Sequence, residues 1–162
     1  MSEPITVLIV DDHEVVRKGI RGYLDILPEY DVVGEADSGE QAVDIVRQLV
    51  PDVILMDLML PGIDGVEATR IVKKISPRTQ IVVLTSYHDD SLIFPALKAG
   101  AISYILKDMK MNKLAEAITK AHNGEVILHP KVASRVLLGI HGQGRILGIT
   151  EIVMPIGIEY AL

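Results

Sequence analysis

The sequence has no cysteine and carries less positive than negative charge. Without cysteine, the chain forms neither a disulfide framework nor a cysteine-based zinc site. A total of 16 Lys and Arg against 22 Asp and Glu gives a net charge of −6, which disfavours non-specific attraction to nucleic acid or anionic membranes. Residues 1–4 have no basic segment, and the apolar run after them ends at Asp11. We therefore expect no signal peptide, no membrane span and a cytoplasmic protein.

The 162 residues are 49% hydrophobic, enough for one sizeable core and too few for two full domains. Short apolar runs rich in β-branched residues predict five buried parallel strands, at Ile5–Val10, Tyr30–Gly34, Val53–Met56, Ile81–Leu84 and Ile102–Leu106. The segments between them repeat apolar residues at spacings of three and four, which predicts crossover helices. Successive βα units predict an α/β fold, a doubly wound (βα)5 three-layer sandwich of flavodoxin-like type with parallel strand order 2-1-3-4-5.

Local signals mark several helix ends. Ser38 with Gln41 three residues later matches a capping box, and Pro51 ends the helix that begins there. The segment Asp90–Ala99 is less regular because Pro95 removes an interior hydrogen bond unless it lies in the first turn or the helix is bent. We still predict a helix there.

Polar residues follow the predicted strands at the edge of the sheet where ligands bind in such folds. Asp11 and Asp12 follow the first strand, Asp57 the third, Thr85 the fourth and Lys107 the fifth. Three carboxylates within about 4 Å of each other would repel by about 4 kcal/mol per pair at an effective dielectric near 20. We therefore expect a cation, and Mg2+ suits one or two carboxylates plus a phosphate.

With Mg2+ bound, one carboxylate can attack a phosphoryl donor and form an acyl phosphate. Lys107 and the Thr85 hydroxyl would then hold the remaining phosphoryl oxygens. An isolated aspartate such as Asp57 is more often structural, and it is the combination that favours chemistry.

The order and spacing of five motifs resemble the receiver domain of response regulators. The motifs are Val10–His13 (VDDH), Leu55–Gly65 (LMDLMLPGIDG), Leu84–Ser86 (LTS), Lys98–Ala101 (KAGA) and Tyr104–Lys107 (YILK), and the resemblance covers residues 5–123. It implies that a sensor histidine kinase phosphorylates Asp57 and that Asp12 and Asp57 ligate Mg2+ directly. Asp11 would help through water, and the backbone carbonyl of Met59 would complete the protein ligands.

The resemblance also implies a two-state switch. Thr85 would move toward the phosphoryl group while Tyr104 swings inward, although Tyr104 taken alone is equally well a buried filler. Met59 and Tyr87 resemble positions that tune autodephosphorylation, and because both are bulky we expect a slow loss of phosphate. The chain would then change partners and not turn over a metabolite.

The C-terminal residues are harder to interpret. We divide the chain into a receiver domain at 1–123, a linker-side segment at 124–138 and an atypical tail at 139–162. The middle segment resembles the linker of LuxR/NarL-type transcription regulators, whose helix-turn-helix we do not find, so DNA would be bound only through a domain missing from these residues. The tail has five glycines and three charged residues. It is either non-native sequence or an extended arm, such as Gly148–Met154, that makes a homodimer by pairing with a neighbouring sheet edge.

Two other functions stay open. An aspartate-nucleophile phosphatase or phosphotransferase would need a second carboxylate two residues after Asp57, where this chain has Met59. A phosphorylation-independent interaction module would not need the whole set of site residues. The histidines are too scattered for a ligand set, and we expect surface or loop positions for His13, His88, His122, His129 and His141.

Overall fold

A computed structural model describes residues 3–86, 90–128, 133–134 and 158–160. The strands within this part of the chain are β1 Ile5–Val10, β2 Tyr30–Ala36, β3 Val53–Met56, β4 Gln80–Thr85, β5 Ser103–Leu106, β6 Val126–Leu128 and β7 Ile158–Tyr160. The helices are α1 Glu14–Asp25, α2 Gly39–Leu49, α3 Gly65–Ile75, α4 Ile93–Ala99 and α5 Met111–His122. All strand pairs are parallel and the order is 2-1-3-4-5-6-7. The predicted doubly wound order 2-1-3-4-5 is confirmed, with two further strands added after β5.

Helices cover both faces of the sheet and give the three predicted layers. On one face α1 and α5 pack over the sheet through buried residues that include Ile20 and Ile118. On the other face α2, α3 and α4 contribute buried residues that include Val46, Val72 and Leu97. Every residue of β3 is buried, which explains its continuous apolar run, since a central parallel strand meets helices on both sides.

The predicted helix ends are largely confirmed. The Ser38 side chain accepts a hydrogen bond from the Gln41 backbone N–H at 3.1 Å. The irregular helix is shorter than predicted, because a 3-10 turn at Asp90–Leu92 precedes α4, which starts at Ile93. Pro95 thus lies in the first turn of α4, where an N–H has no partner inside the helix.

The sheet continues past Gly124, within the segment that we had assigned to a linker. The β6 residues are buried, and the Ile127 N–H donates to the Ser103 hydroxyl at 3.1 Å. The backbone of β7 pairs with β6, with Val126 opposite Ile158. Apart from residues 124–128, 133–134 and 158–160, the segment 124–138 and the tail 139–162 lie outside the described residues, and so does the predicted arm Gly148–Met154. Within the described ranges, no helix is long and apolar enough to cross a membrane.

Candidate functional site

The carboxyl ends of four adjacent strands bring the predicted site residues together. Asp11 directly follows β1 and Asp57 directly follows β3, and the Asp57 N–H donates to the Val10 carbonyl at 2.9 Å. Thr85 ends β4 and Lys107 follows β5, and the Lys107 N–H donates to the Thr85 carbonyl at 2.7 Å. Asp11, Asp57 and Thr85 are all buried. The sheet itself therefore fixes the backbone beneath this group of polar side chains.

Asp11 and Asp57 share one ammonium group. The Lys107 Nζ lies 2.9 Å from Asp11 Oδ2 and 3.3 Å from Asp57 Oδ2. Both oxygens are buried, and neither accepts a well-aligned hydrogen bond from the described residues, so Lys107 holds them by charge rather than by directed bonds. Buried carboxylate oxygens that lack hydrogen-bond donors would be stabilised by a further positive charge. A divalent cation that prefers oxygen ligands would supply that charge.

The pKa values of Asp57 and Lys107 are both raised, but for different reasons. Burial raises the pKa of Asp57, and the negative charge of Asp11 raises it further, while Lys107 and the Met59 N–H oppose the change without cancelling it. Burial alone would lower the pKa of Lys107, but its close contacts with the Asp11 and Asp57 carboxylates outweigh burial and raise it. Lys107 therefore stays charged, and the cluster carries more negative charge than one ammonium balances.

Asp12 and His13 form the outer rim of the cluster. The Asp11 Oδ1 accepts from the His13 N–H at 2.8 Å, and the His13 Nδ1 lies 2.9 Å from that oxygen and 3.1 Å from Asp12 Oδ1. Together with Asp57, these residues each offer a ligand atom, all within 4.8 Å of one another. His13 is exposed, as expected. Its position beside Asp11 and Asp12, at the start of α1, was not predicted from the sequence.

The loop after β3 supports Asp57 through its backbone. The Met59 N–H donates to Asp57 Oδ1 at 3.3 Å, while the Met59 side chain is mostly exposed. Asp64 caps α3 by accepting from the Glu67 N–H at 2.9 Å. A Cβ on Gly65 would lie 2.3 Å from the Asp57 carbonyl oxygen, so only glycine lets α3 begin directly against the strand that presents Asp57.

The predicted switch residues lie where the fold brings β4 and β5 side by side. Thr85 is opposite Leu106 in the register, and Thr85 and Tyr104 are each 1% exposed. Tyr104 belongs to the buried cluster on the face that α4 covers. Their roles in switching stay predictions. Tyr87 lies outside the described residues, so its role in tuning dephosphorylation also stays a prediction.

One residue beside the site was missed in the sequence. The guanidinium of Arg17, in α1, donates from Nη1 to the Asp11 carbonyl at 2.7 Å and from Nε to Glu35 Oε1 at 3.1 Å. Glu35, in β2, also contacts Arg21 at 2.9 Å and Lys18 at 3.2 Å. Burial would raise the pKa of Glu35, but hydrogen bonds from these three cations lower it. The spacing of the cations marks a basic helix face, yet nothing in the sequence connects it to Glu35.

Comparison with known proteins gives concordant matches. Residues 7–119 match the family model described as response regulator receiver domain. The chain is 44% identical over 140 residues to the transcriptional regulatory protein LiaR of Bacillus subtilis (strain 168), an alignment that covers 86% of this chain and 66% of LiaR. It is 49% identical over 129 residues to the response regulator protein VraR of Staphylococcus saprophyticus, covering 80% and 62%. The chain thus spans less than two thirds of the length of either relative.

Solved structures agree with the fold. A two-component response regulator of the LuxR family from Aurantimonas sp. SI85-9A1 superposes with a TM-score of 0.77 at 31% identity, covering 84% of this chain and 97% of that one. The response regulator ChrA of a heme-sensing two-component system gives a TM-score of 0.71 at 33% identity, with 89% and 69% covered.

Proposed function

The chain belongs to the response regulator receiver domain family, and on that premise we propose that it is a phosphorylation-dependent switch that accepts a phosphoryl group on Asp57 from a sensor histidine kinase. One observation carries the proposal. The Asp57 carboxylate is buried beside Asp11, its Oδ2 is held among the described residues only by the charge of Lys107, and its pKa is raised. A purely structural acid would be expected to have its oxygens satisfied, whereas this one is kept short of partners at the edge where ligands bind in such sheets.

The donor set fits Mg2+ as the cofactor. Asp12 and Asp57 would ligate it directly, Asp11 would act through water, and the Met59 backbone carbonyl would complete the protein ligands. When bound, Mg2+ would offset the carboxylate charge and the negative charge on the incoming phosphoryl oxygens. Oxygen ligands of this kind are the ones Mg2+ prefers, and an incomplete protein shell suits an ion that keeps several waters and binds phosphate.

The residues then have separate tasks in the transfer. A carboxylate oxygen of Asp57 forms a bond to phosphorus as the bond from phosphorus to the donor's leaving atom breaks, and an acyl phosphate results. Lys107, kept protonated by its acidic neighbours, pairs with a phosphoryl oxygen in place of the Asp57 oxygen that it now contacts. The Thr85 hydroxyl donates to another. Burial of Asp57 and Thr85 limits access of water to the new bond.

The consequence of transfer would be a change of partner. Thr85 moves toward the phosphoryl group and Tyr104 repacks behind it, which alters the surface formed by α4, β5 and α5. Met59 is exposed and stands where a phosphatase would carry its second carboxylate, which weighs against a turnover enzyme. Met59 and Tyr87 instead slow autodephosphorylation. Control of transcription would use a DNA-binding output domain outside these 162 residues, and the protein would be cytoplasmic. Homodimer formation would be one means of coupling phosphorylation to that output domain.

Phosphorylation in vitro tests the proposal. The purified chain is incubated with acetyl phosphate, with Mg2+ or with EDTA, and intact mass spectrometry measures phosphate uptake. We expect wild type to gain one base-labile phosphoryl group only with Mg2+, and Asp57→Asn to gain none. Asp64→Asn is the matched control, since Asp64 lies in the same loop, and asparagine keeps the helix cap. Equal labelling of Asp57→Asn, or Mg2+-independent labelling of wild type, would refute the assignment.

A further inference from the structure

A half-buried arginine joins the acidic site to the second strand of the sheet. Arg17 is 15% exposed and Glu35 13% exposed. The same guanidinium donates to Glu35 on one side and to the backbone carbonyl of Asp11 on the other. Arg17 does not touch a site carboxylate, so it acts on the site through the backbone.

That carbonyl controls where Asp12 lies. A peptide unit is planar, so the Asp11 carbonyl and the Asp12 Cα lie in one plane. The Asp11 N–H is already fixed by a bond of 3.0 Å to the Ala36 carbonyl at the end of β2. When Arg17 holds the carbonyl as well, the next peptide plane cannot rotate freely. The positions of the Asp12 N and Cα are then set, and the bond of 2.8 Å from the His13 N–H to Asp11 Oδ1 restrains the peptide that follows Asp12.

Arg17 is distinct among the cations on Glu35. Arg21 and Lys18 also contact the Glu35 carboxylate, at Oε2, and both are more exposed than Arg17. Among the residues that the structure describes, their contacts are with Glu35, Val32 and Asp25 and not with Asp11. The planar guanidinium donates in fixed directions and can therefore span two acceptors, whereas a lysine ammonium acts as a point charge. This makes Arg21 a natural control, because its loss affects Glu35 without affecting the Asp11 carbonyl.

We infer that Arg17, anchored by Glu35, is a positioning residue that holds the Asp11–Asp12 peptide in the geometry required to bind Mg2+. The inference rests on the proposed function and deepens it. Loss of the bridge would leave the carboxylates present but free to adopt more than one arrangement. Groups that do not bind the metal themselves but hydrogen-bond to its ligands and orient them typically contribute 10- to 100-fold to metal affinity. We therefore expect Arg17→Gln to raise the Kd for Mg2+ by about 10-fold, the lower end of that range because the contact is to backbone.

The test uses Mg2+ alone as the probe. Isothermal titration of the full chain with MgCl2 gives the Kd of wild type, Arg17→Gln, Arg17→Lys and Arg21→Gln, and urea unfolding in EDTA gives their stabilities. Both glutamine variants remove a cation from Glu35, so both should lose stability. Only Arg17→Gln should bind Mg2+ more weakly, and Arg17→Lys should restore the affinity only partly.

The outcomes separate the two proposals. If wild type binds Mg2+ and Arg17→Gln binds equally well, or if Arg21→Gln loses as much affinity, the positioning role is overturned while the proposed function stands. If wild type shows no Mg2+ binding, both are overturned. Should Arg17→Gln fail to fold, Glu35→Gln removes the charge that anchors Arg17 and should therefore weaken its hold on the Asp11 carbonyl. An unchanged Kd in that variant would overturn the inference.

Discussion

Two buried acidic clusters lie side by side in this molecule, and their charge balance is opposite. In the first, Glu35 meets three cations from α1, and its pKa is lowered. In the second, Asp57 and Asp11 share Lys107, and the pKa of Asp57 is raised. Glu35 and Asp57 are both largely buried. The contrast shows that three cationic neighbours outweigh the effect of burial on Glu35, whereas burial and the charge of Asp11 outweigh the single cation beside Asp57.

The second cluster is the kind of arrangement that selection for stability alone would remove. Like charges kept close together in a buried setting occur at functional sites, where a ligand or a reaction uses them. The first cluster supplies the opposite property, because its cations over-satisfy a single acid. Arg17 belongs to both, since it contacts Glu35 and the Asp11 backbone. Through Arg17, the cluster around Glu35 is therefore connected to the backbone of the cluster around Asp57.

The largest effect should come from supplying the missing charge to the second cluster. At a Mg2+ concentration about 100 times its Kd, the free energy of unfolding of wild type should rise by about 2.7 kcal/mol. Asp12→Ala should abolish that increment, because it removes a direct ligand. Asp37→Ala is the control, since Asp37 is an exposed acid after β2 at the same sheet edge. Thermal unfolding with MgCl2 or EDTA measures both. An undiminished increment in Asp12→Ala would count against the ligand assignment.

The next effect should come from neutralising the first cluster. Glu35→Gln leaves three cations facing one another, and we expect a loss of about 2 kcal/mol, below the 3 to 5 kcal/mol for a fully buried pair because Lys18 and Arg21 are partly exposed. Glu116→Gln is the control, since Glu116 is a surface acid between Lys113 and Lys120 and should lose less than about 1 kcal/mol. Urea unfolding distinguishes them, and equal losses would mean that the Glu35 cluster is ordinary surface charge.

A smaller effect of the opposite sign is expected at Asp57. In EDTA, Asp57→Asn should stabilise the chain by roughly 1 kcal/mol, because it removes a carboxylate whose charged form the fold disfavours. With Mg2+ the same variant should lose its advantage, since wild type then gains a ligand that the variant lacks. A destabilised Asp57→Asn in EDTA would show that the ion pair with Lys107 outweighs burial and the repulsion from Asp11.

The pH dependence of these two differences should separate them further. The lowered pKa of Glu35 means that its stabilising contribution is present above its ordinary value of 4.5 and is lost as the pH falls through the lower folded value. The raised pKa of Asp57 means that its cost is present in full at neutral pH, begins to fall as the pH drops through the raised folded value, and is gone below its ordinary 3.8. In EDTA, lowering the pH toward 3.8 should therefore remove the advantage of Asp57→Asn, and lowering the pH below 4.5 should progressively remove the deficit of Glu35→Gln. Urea titrations in which either difference grows as the pH falls would contradict the assigned causes.

The central sheet was predictable because its signal is local. The runs at β1 and β3 are apolar on both faces and bounded by charge or turn residues, and their ends match the predicted ones. The three-residue β6 was missed because it has no periodicity of its own. It is held by contacts that the sequence does not show, such as the Ile127 N–H on the Ser103 hydroxyl.

The candidate site was predictable as far as strand ends determine it. Asp11, Asp57 and Lys107 each follow a strand, and adjacent strands bring them together. The contacts that Arg17 and His13 make beside the site were not predictable in this way. They depend on how α1 leans across β1 and β2, which is a property of packing and not of spacing along the chain.

Locating the phosphoryl group tests the central claim most directly. Wild type is phosphorylated with acetyl phosphate and Mg2+ and then treated with sodium borohydride, which reduces an acyl phosphate on aspartate to homoserine. Peptide mass mapping then identifies the modified position. We predict homoserine at residue 57 alone. Homoserine at Asp11 or Asp12, or a phosphate that survives reduction on a serine or threonine, would contradict the account.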